Sequence, residues 1–303
     1  MVQFPHTITG QELWRWRQQA VSQAKTTHIN TTEVDWLLQG VCQVKGLALR
    51  LGTLVDQDRV AAQVSLAELE QLWAQRVRDR VPVQHLVGQT PWRNFTLQVS
   101  PSVLIPRPET ELIIDQVVLA VEQSPAAEQL RRGTWVDLGT GSGAIALGLA
   151  DVLPEAEILA VDISAGALEI AKQNARENGL SDRIQFFQGA WFTPITAWQG
   201  QLAGVVSNPP YIPSAIVPTL QPEVTNHEPH IALDGGQDGL MCVQHLIHTA
   251  PFFLHRNGIW LVELMMGQAS GVIELLTQTN DYRNIQPCLD LAGIERFVLA
   301  QRQ

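Results

Sequence analysis

From Thr134 to the end of the chain, short apolar runs alternate with amphipathic stretches, and this rhythm leaves few folds open. Trp135 to Leu138, Glu157 to Val161, Ile184 to Phe187, Leu202 to Val206 and Ile259 to Leu264 read as strands. Their nearly unbroken hydrophobicity suits strands covered on both faces. Between them lie helical patterns: the Ala- and Leu-rich run after Gly143, Ala165 to Asn178 (stopped by Gly179), Leu240 to His255, and Ala269 to Thr279. Strand, helix, strand in succession implies crossover connections and a mostly parallel sheet. Asn284 to Leu291 and Arg296 to Ala300 predict two closing strands joined near Ala292-Gly293, so the expected class is α/β with a terminal antiparallel hairpin.

The first part of the chain has another period. Thr9-Gly10-Gln11-Glu12 and Ser65-Leu66-Ala67-Glu68 are capping-box patterns. The first leads into Leu13, Trp16 and Ala20, the second into Leu69, Trp73 and Val77, each set at helical spacing. A further helix is expected from about Asn30–Thr32 through Val34, Leu37, Leu38 and Val41, and Pro82 is expected to end the run. Residues 1–85 therefore predict a small helical domain whose tryptophans are core, suited to substrate docking. Residues 86–107 predict a β-hairpin linker: Phe95, Leu97 and Val99 alternate with polar residues, and Pro101-Ser102 turns the chain into Val103-Leu104-Ile105. Residues 108–303 form the remaining domain, opened by a helix that tolerates Pro108 and favours Glu109 and Glu111 in its first turn.

Composition excludes several function classes. A formal charge of −10 disfavours a sequence-independent grip on phosphate backbones. Cys42, Cys242 and Cys288 are scattered and form no C-x-x-C, as expected of free thiols in a reducing compartment. No run approaches the roughly 18 apolar residues that span a bilayer, and the N-terminus carries no basic-then-apolar signal, so a cytoplasmic protein is expected. His227 with His230, and His245 with His248, lack a third ligand at metal spacing, and no metal is expected.

Two stretches carry chemistry. In Asp137-Leu138-Gly139-Thr140-Gly141-Ser142-Gly143, the glycines permit a tight turn and close backbone approach to a ligand between a strand and a helix. The next strand ends in Asp162, whose carboxylate can accept both ribose hydroxyls of a nucleoside, NAD and S-adenosylmethionine alike, or cap the following helix in place of Ser164. The second stretch is Ser207-Asn208-Pro209-Pro210-Tyr211. Two prolines stop the strand ladder and stiffen its exit, and Asn208 is pushed toward extended backbone. A carboxamide oxygen, a carbonyl unable to join a helix and an aromatic ring suit the gripping of a flat amino group.

Asn208-Pro209-Pro210-Tyr211 resembles the signature of methyltransferases acting on planar amino or amide nitrogens of adenine, cytosine or glutamine. The alternating glycines 139, 141 and 143 resemble the first motif of S-adenosylmethionine-dependent methyltransferases. Val81-Pro82-Val83-Gln84-His85-Leu86-Val87-Gly88, followed by Leu104-Ile105-Pro106-Arg107-Pro108-Glu109-Thr110-Glu111, resembles the HemK/PrmC family, which methylates a glutamine of peptide-release factors. Glu228-Pro229, Gly235-Gly236-Gln237-Asp238-Gly239-Leu240 and Asp290-Leu291-Ala292-Gly293-Ile294-Glu295-Arg296 extend the likeness from about Val81 to Phe297. It implies a Rossmann-like class I methyltransferase domain with S-adenosylmethionine as cofactor. Gly139, Thr140, Gly141, Ser142, Gly143, Asp162, Trp191 and Asn208 are implied to bind the cofactor, with Trp191 beside the adenine. Asn208, Pro209 and Tyr211 are implied as the catalytic set and, with Pro210, as the substrate clamp. No group of near-neutral pKa is expected beside them. The chain departs from the family where Ala190 replaces an acid, where Glu263-Leu264-Met265-Met266-Gly267 replaces Glu-Ile-Gly, and where His227 replaces an aromatic. Gly235-Gly236-Gln237 reads as a turn that happens to mimic the substrate motif.

The expected activity is methylation of the glutamine N5 in the Gly-Gly-Gln motif of class-1 release factors, by a monomer that binds neither nucleic acid directly nor membrane. An exocyclic-amine methylase of DNA or RNA, or a degenerate module that binds without turnover, would share the signature. A dinucleotide oxidoreductase would leave Asn208 to Tyr211 unexplained.

Overall fold

The large sheet begins in its own middle. Its strands are β1 (Thr134–Leu138), β2 (Glu157–Asp162), β3 (Ile184–Gln188), β4 (Leu202–Ser207), β5 (Leu254–Glu263), β6 (Tyr282–Leu289) and β7 (Glu295–Arg302) in a computed structural model that describes residues 3–303. Their order across the sheet is β6-β7-β5-β4-β1-β2-β3. The first five are parallel. β7 runs antiparallel to β5, and β6 antiparallel to β7. The chain leaves β1 toward β2 and β3, then returns to place β4 on the other side of β1. The connections leaving the carboxyl ends of β1 and β4 therefore diverge, which opens a crevice there.

All six residues of β4 are buried, as a central parallel strand requires. Gly204 of β4 lies beside Trp135 of β1. A Cβ on Gly204 would lie 2.1 Å from the indole ring, so only glycine admits this tryptophan. The indole N–H is satisfied by the Leu130 carbonyl at 2.8 Å. Alternate residues then divide between two cores. Trp135, Ile158 and Ala160 pack with helices Leu112–Gln123 and Ala144–Val152. Val136, Leu138, Leu159, Val161 and Val205 pack with helices Met241–Thr249 and Ala269–Thr279. The period of two along each strand produces this division.

The chain divides into two compact units, one up to Gln89 and one from Thr90 to Gln303. In the first, both capping boxes are formed. Thr9 caps Gly10–Thr26 and Ser65 caps Leu66–Arg78, each reciprocated by a Glu at the third position. Trp16 and Trp73 are buried edge-to-face with centroids 6.3 Å apart. The unit is not wholly helical: His6–Ile8 pairs antiparallel with Val60–Ala62. Strands of three residues are too short for an alternation to show.

Two other expectations change. The hairpin is made by Gln89–Trp92 with Phe95–Gln98 and, but for Gln89, lies in the second unit. Arg93 takes a left-handed backbone at the turn, and Val103 to Ile105 form no strand. The helix expected to reach His255 ends at Thr249. Pro251 cannot donate to a helical ladder, so a short 3₁₀ turn, Ala250–Phe252, leads directly into β5.

Candidate active site

The glycine loop leaves β1 with Gly139, Gly141 and Gly143 all at positive φ, a conformation that side-chain-bearing residues rarely adopt. Asp137, fully buried beneath the loop, ties it down. Its Oδ2 accepts from Thr140 Oγ1 at 2.6 Å and from Ala146 N at 3.0 Å. Burial pushes this carboxyl up to about 7 against the pull of those two bonds. Thr140 therefore spends its hydroxyl inward and offers the cleft its backbone. Asn174 holds the far side: its amide donates to Ser142 O at 2.8 Å and Gln98 O at 3.0 Å, and its Oδ1 accepts from Gln98 N. Asn174 was not among the expected site residues, because a polar residue on a helix carries no sign of its distant partners.

Asp162 ends β2 on the adjoining wall. Its Oδ2 accepts from Gly141 N and its Oδ1 from Ser164 N, both at 2.8 Å. Ser164 itself caps the following helix by accepting from Ala167 N. Burial raises the Asp162 pKa, and these backbone N–H groups oppose the rise. Asp162 also lines the cleft, and its carboxylate has acceptor capacity beyond these bonds. Trp191 has a left-handed backbone and turns its ring toward Gly139, 3.9 Å from where a Cβ on that glycine would stand. The His245 ring is tilted against Trp191, centroids 6.3 Å apart.

These residues wall a cavity of about 650 Å³, lined by Gly139, Asp162, Ala190, Trp191, Pro210 and Ile231 among others. That size suits a nucleoside-bearing ligand. A narrower recess shares Gly139, Asp162, Pro210 and Ile231 and continues past Thr140, Gly141 and Ser142 to Asn208 and Thr110. The fit to S-adenosylmethionine is good on three counts: an acceptor pair for vicinal hydroxyls, an aromatic face, and a glycine loop leading away from both. Gly143 lies outside the recess and caps helix Ala144–Val152.

Asn208 follows β4 and lines the recess. Its Nδ2 donates to Thr110 Oγ1 at 3.2 Å. Neither its Oδ1 nor the carbonyl of the buried Pro209 has a hydrogen-bond partner among the described residues. Tyr211 turns its hydroxyl inward to Glu263 Oε1 at 3.1 Å, and neither Pro209 nor Tyr211 lines the recess. Glu263, at the end of β5, is almost fully buried, which pushes its carboxyl up to about 7. A near-neutral group therefore does stand behind the 208–211 segment, contrary to expectation. The sequence marks Glu263 as the end of a strand but not as buried.

The segment after Tyr211 is held backbone to backbone. Gln268 Nε2 donates to Tyr211 O at 2.9 Å. A Cβ on Gly239 would lie 2.3 Å from the same oxygen, and one on Gly235 would lie 2.7 Å from Pro210 O. Gly235-Gly236-Gln237 is thus a buttressing turn for the 208–211 segment. Arg107 and Glu228 join two other stretches, with Nη2 at 2.8 and 2.6 Å from the carboxylate oxygens. Among the described residues, no cluster of His, Cys, Asp or Glu is placed to hold a metal, and no helix is long and apolar enough to cross a membrane.

Known proteins share this architecture. Residues 118–219 match the family described as Methyltransferase small domain. The hMettl16 catalytic domain in complex with MAT2A 3′UTR hairpin 6 is similar in fold, with a TM-score of 0.54 at 15% identity over 88% of each chain. Among curated proteins, the release factor glutamine methyltransferase of Synechocystis sp. is 49% identical over 97% of this chain and 97% of its own. That of Thermosynechococcus vestitus is 43% identical over 96% and 97%, and that of Gloeobacter violaceus 41% over 94% and 95%. Sequence likeness at this level over nearly the whole length accompanies the sheet order and the cleft described above, and the chain belongs to the release factor glutamine methyltransferase family.

Proposed function

We propose that this protein transfers a methyl group from S-adenosylmethionine to the side-chain nitrogen (N5) of the glutamine in the Gly-Gly-Gln loop of class-1 peptide release factors. The family membership supports the substrate. The chemistry rests on one observation: Asn208 Oδ1 and the adjacent Pro209 carbonyl have no hydrogen-bond partners among the described residues, and Asn208 lines the recess that leaves the glycine loop.

Bound S-adenosylmethionine supplies an electrophilic methyl on a sulfonium. Asp162 would hold its ribose hydroxyls, Trp191 its adenine, and the backbone of Gly139 to Ser142 its amino-acid portion. An amide nitrogen is a weak nucleophile because its lone pair is delocalised into the carbonyl. Asn208 Oδ1 and Pro209 O each accept one of its N–H bonds, which fixes the plane of the amide and aims the nitrogen. Both acceptors bind more strongly as positive charge grows on nitrogen, so they favour the transition state over the ground state. As the N–C bond forms, the methyl–sulfur bond breaks to leave a neutral thioether, and the nitrogen then loses one proton to solvent. Pro210 stiffens the segment, and Tyr211, anchored to Glu263, keeps the carbonyl run in place.

The test is co-incubation with S-adenosylmethionine and a purified class-1 release factor, followed by peptide mass spectrometry, with duplex DNA and RNA in parallel. One added methyl on the loop glutamine is expected. Methyl groups on nucleic acid alone would overturn the proposal.

A further inference from the structure

The two ends of a carboxamide are nearly the same size, and only one can accept a hydrogen bond. If Asn208 presented Nδ2 to the recess, it would repel the N–H groups it is meant to receive. We propose that Thr110 and Glu263 are positioning residues that hold the Asn208 carboxamide with Oδ1 toward the recess and Nδ2 away from it. The proposal rests on the reading of Asn208 as substrate clamp.

The geometry has a fixed polarity. Asn208 Nδ2 donates to Thr110 Oγ1 at 3.2 Å. A hydroxyl can accept from Nδ2 or donate to Oδ1, so by itself it would not distinguish the two ends. It does so once its own hydrogen is committed elsewhere. Thr110 and Glu263 are 4% and 2% exposed, so water does not compete for their polar atoms. Glu263 Oε1 accepts from Tyr211. Oε2 has no partner of good geometry among the described residues, yet the Thr110 hydroxyl is close enough to pull the carboxyl's pKa down. Once ionised, which burial delays to about pH 7, the carboxylate only accepts, so it draws the hydrogens of both Thr110 and Tyr211. The Thr110 lone pair then faces Nδ2. One buried carboxylate thereby orients two residues of a single tetrapeptide, through partners 98 and 52 residues away in sequence.

Four variants of the full chain separate this from a purely structural role: Thr110→Val, Thr110→Ser, Glu263→Gln and the Thr110→Val/Glu263→Gln double. Each is assayed for kcat and KM on release factor, for cofactor Kd and for Tm. Thr110→Val keeps the shape and loses the hydroxyl, and a tenfold or greater fall in kcat is expected with cofactor Kd within twofold. Thr110→Ser restores kcat to within about threefold. Glu263→Gln puts a donor beside Thr110, inverts the polarity and lowers kcat comparably, and the double variant is no worse than the poorer single one. Wild-type kcat in Thr110→Val, equal losses in the Val and Ser variants, or losses matched by cofactor affinity and Tm would overturn the proposal. Should the Glu263 variants not fold, the Thr110 pair decides alone. Asn208→Ala is run alongside: if it turns over normally the clamp itself is wrong, whereas a dead Asn208→Ala with a normal Thr110→Val removes only the brace.

Discussion

The Arg107 guanidinium reaches across 121 residues of sequence to both carboxylate oxygens of Glu228, at 2.8 and 2.6 Å. The Glu228 side chain is 1% exposed and that of Arg107 35%. The pair joins the Pro106-Arg107-Pro108 turn to Glu228-Pro229, and Arg107 and Pro229 both border the recess. Burial raises the Glu228 pKa, and Arg107 opposes that. Removing the cation leaves a desolvated carboxyl, which costs more than removing both partners. Arg107→Ala should therefore lower stability by about 2–3 kcal/mol, less than a fully buried pair because water reaches Arg107. Arg107→Met/Glu228→Gln should recover part of the loss. Urea unfolding of the three proteins measures this.

Asn208→Ala removes one acceptor of the proposed clamp without touching the glycine loop or Asp162. The rate of methyl transfer should fall by about 10²–10³, the scale of losing one transition-state hydrogen bond. Cofactor Kd, read by calorimetry, should stay within a few-fold. Intact turnover would contradict the assigned role.

Asp162→Ala should act on the other side of the balance. Hydrogen bonds to a charged group contribute roughly 1.5–3 kcal/mol, so cofactor Kd should rise about 10- to 100-fold. With saturating cofactor, kcat should change little. Asp162 also holds Gly141 N at 2.8 Å, so a modest fall in Tm should accompany the change.

Gly239 has φ +77 and lies where a Cβ would be 2.3 Å from Tyr211 O. Gly239→Ala must move the carbonyl run, and kcat should drop at least tenfold. Gly179 has a similar φ of +73, but a Cβ there meets nothing within 4 Å. Gly179→Ala should cost about 1 kcal/mol of stability and leave kcat unchanged. Comparing the two separates backbone strain from displacement of the clamp.

Asp137 and Glu263 both titrate near 7 in the folded protein because they are buried. In the unfolded chain each returns to about 4. Between those values the folded state holds the extra protons. Their contribution to stability is therefore complete below about pH 4 and is lost as pH rises to about 7, by at most roughly 4 kcal/mol for each. Denaturant midpoints from pH 5 to 8 should fall and then level. Asp137→Asn, which cannot ionise, should reduce that slope, and an unchanged slope would show that Asp137 is not its source.

The βαβ alternation, the capping boxes at Thr9 and Ser65, and the terminal strands were legible because each depends on neighbours within a few residues or on a short period. Helix Met241–Thr249 was read too long because its apolar pattern runs on past Pro251 into β5, and hydrophobicity does not distinguish a buried helix from a buried strand. The three-residue strands His6–Ile8 and Val60–Ala62 gave no pattern at all.

For the site, the sequence alone determined the chemistry on offer: a carboxamide before two prolines, alternating glycines, and an acid at a strand end. Which of those groups meet, and which way they face, was decided only by tertiary structure. Thr110, Glu263 and Asn208 come from three distant segments, and the direction of a hydrogen bond between them depends on burial, which excludes water from their polar atoms. No local pattern encodes that exclusion. It arises when the turn carrying Thr110 meets the ends of β4 and β5, which are neighbours in the sheet.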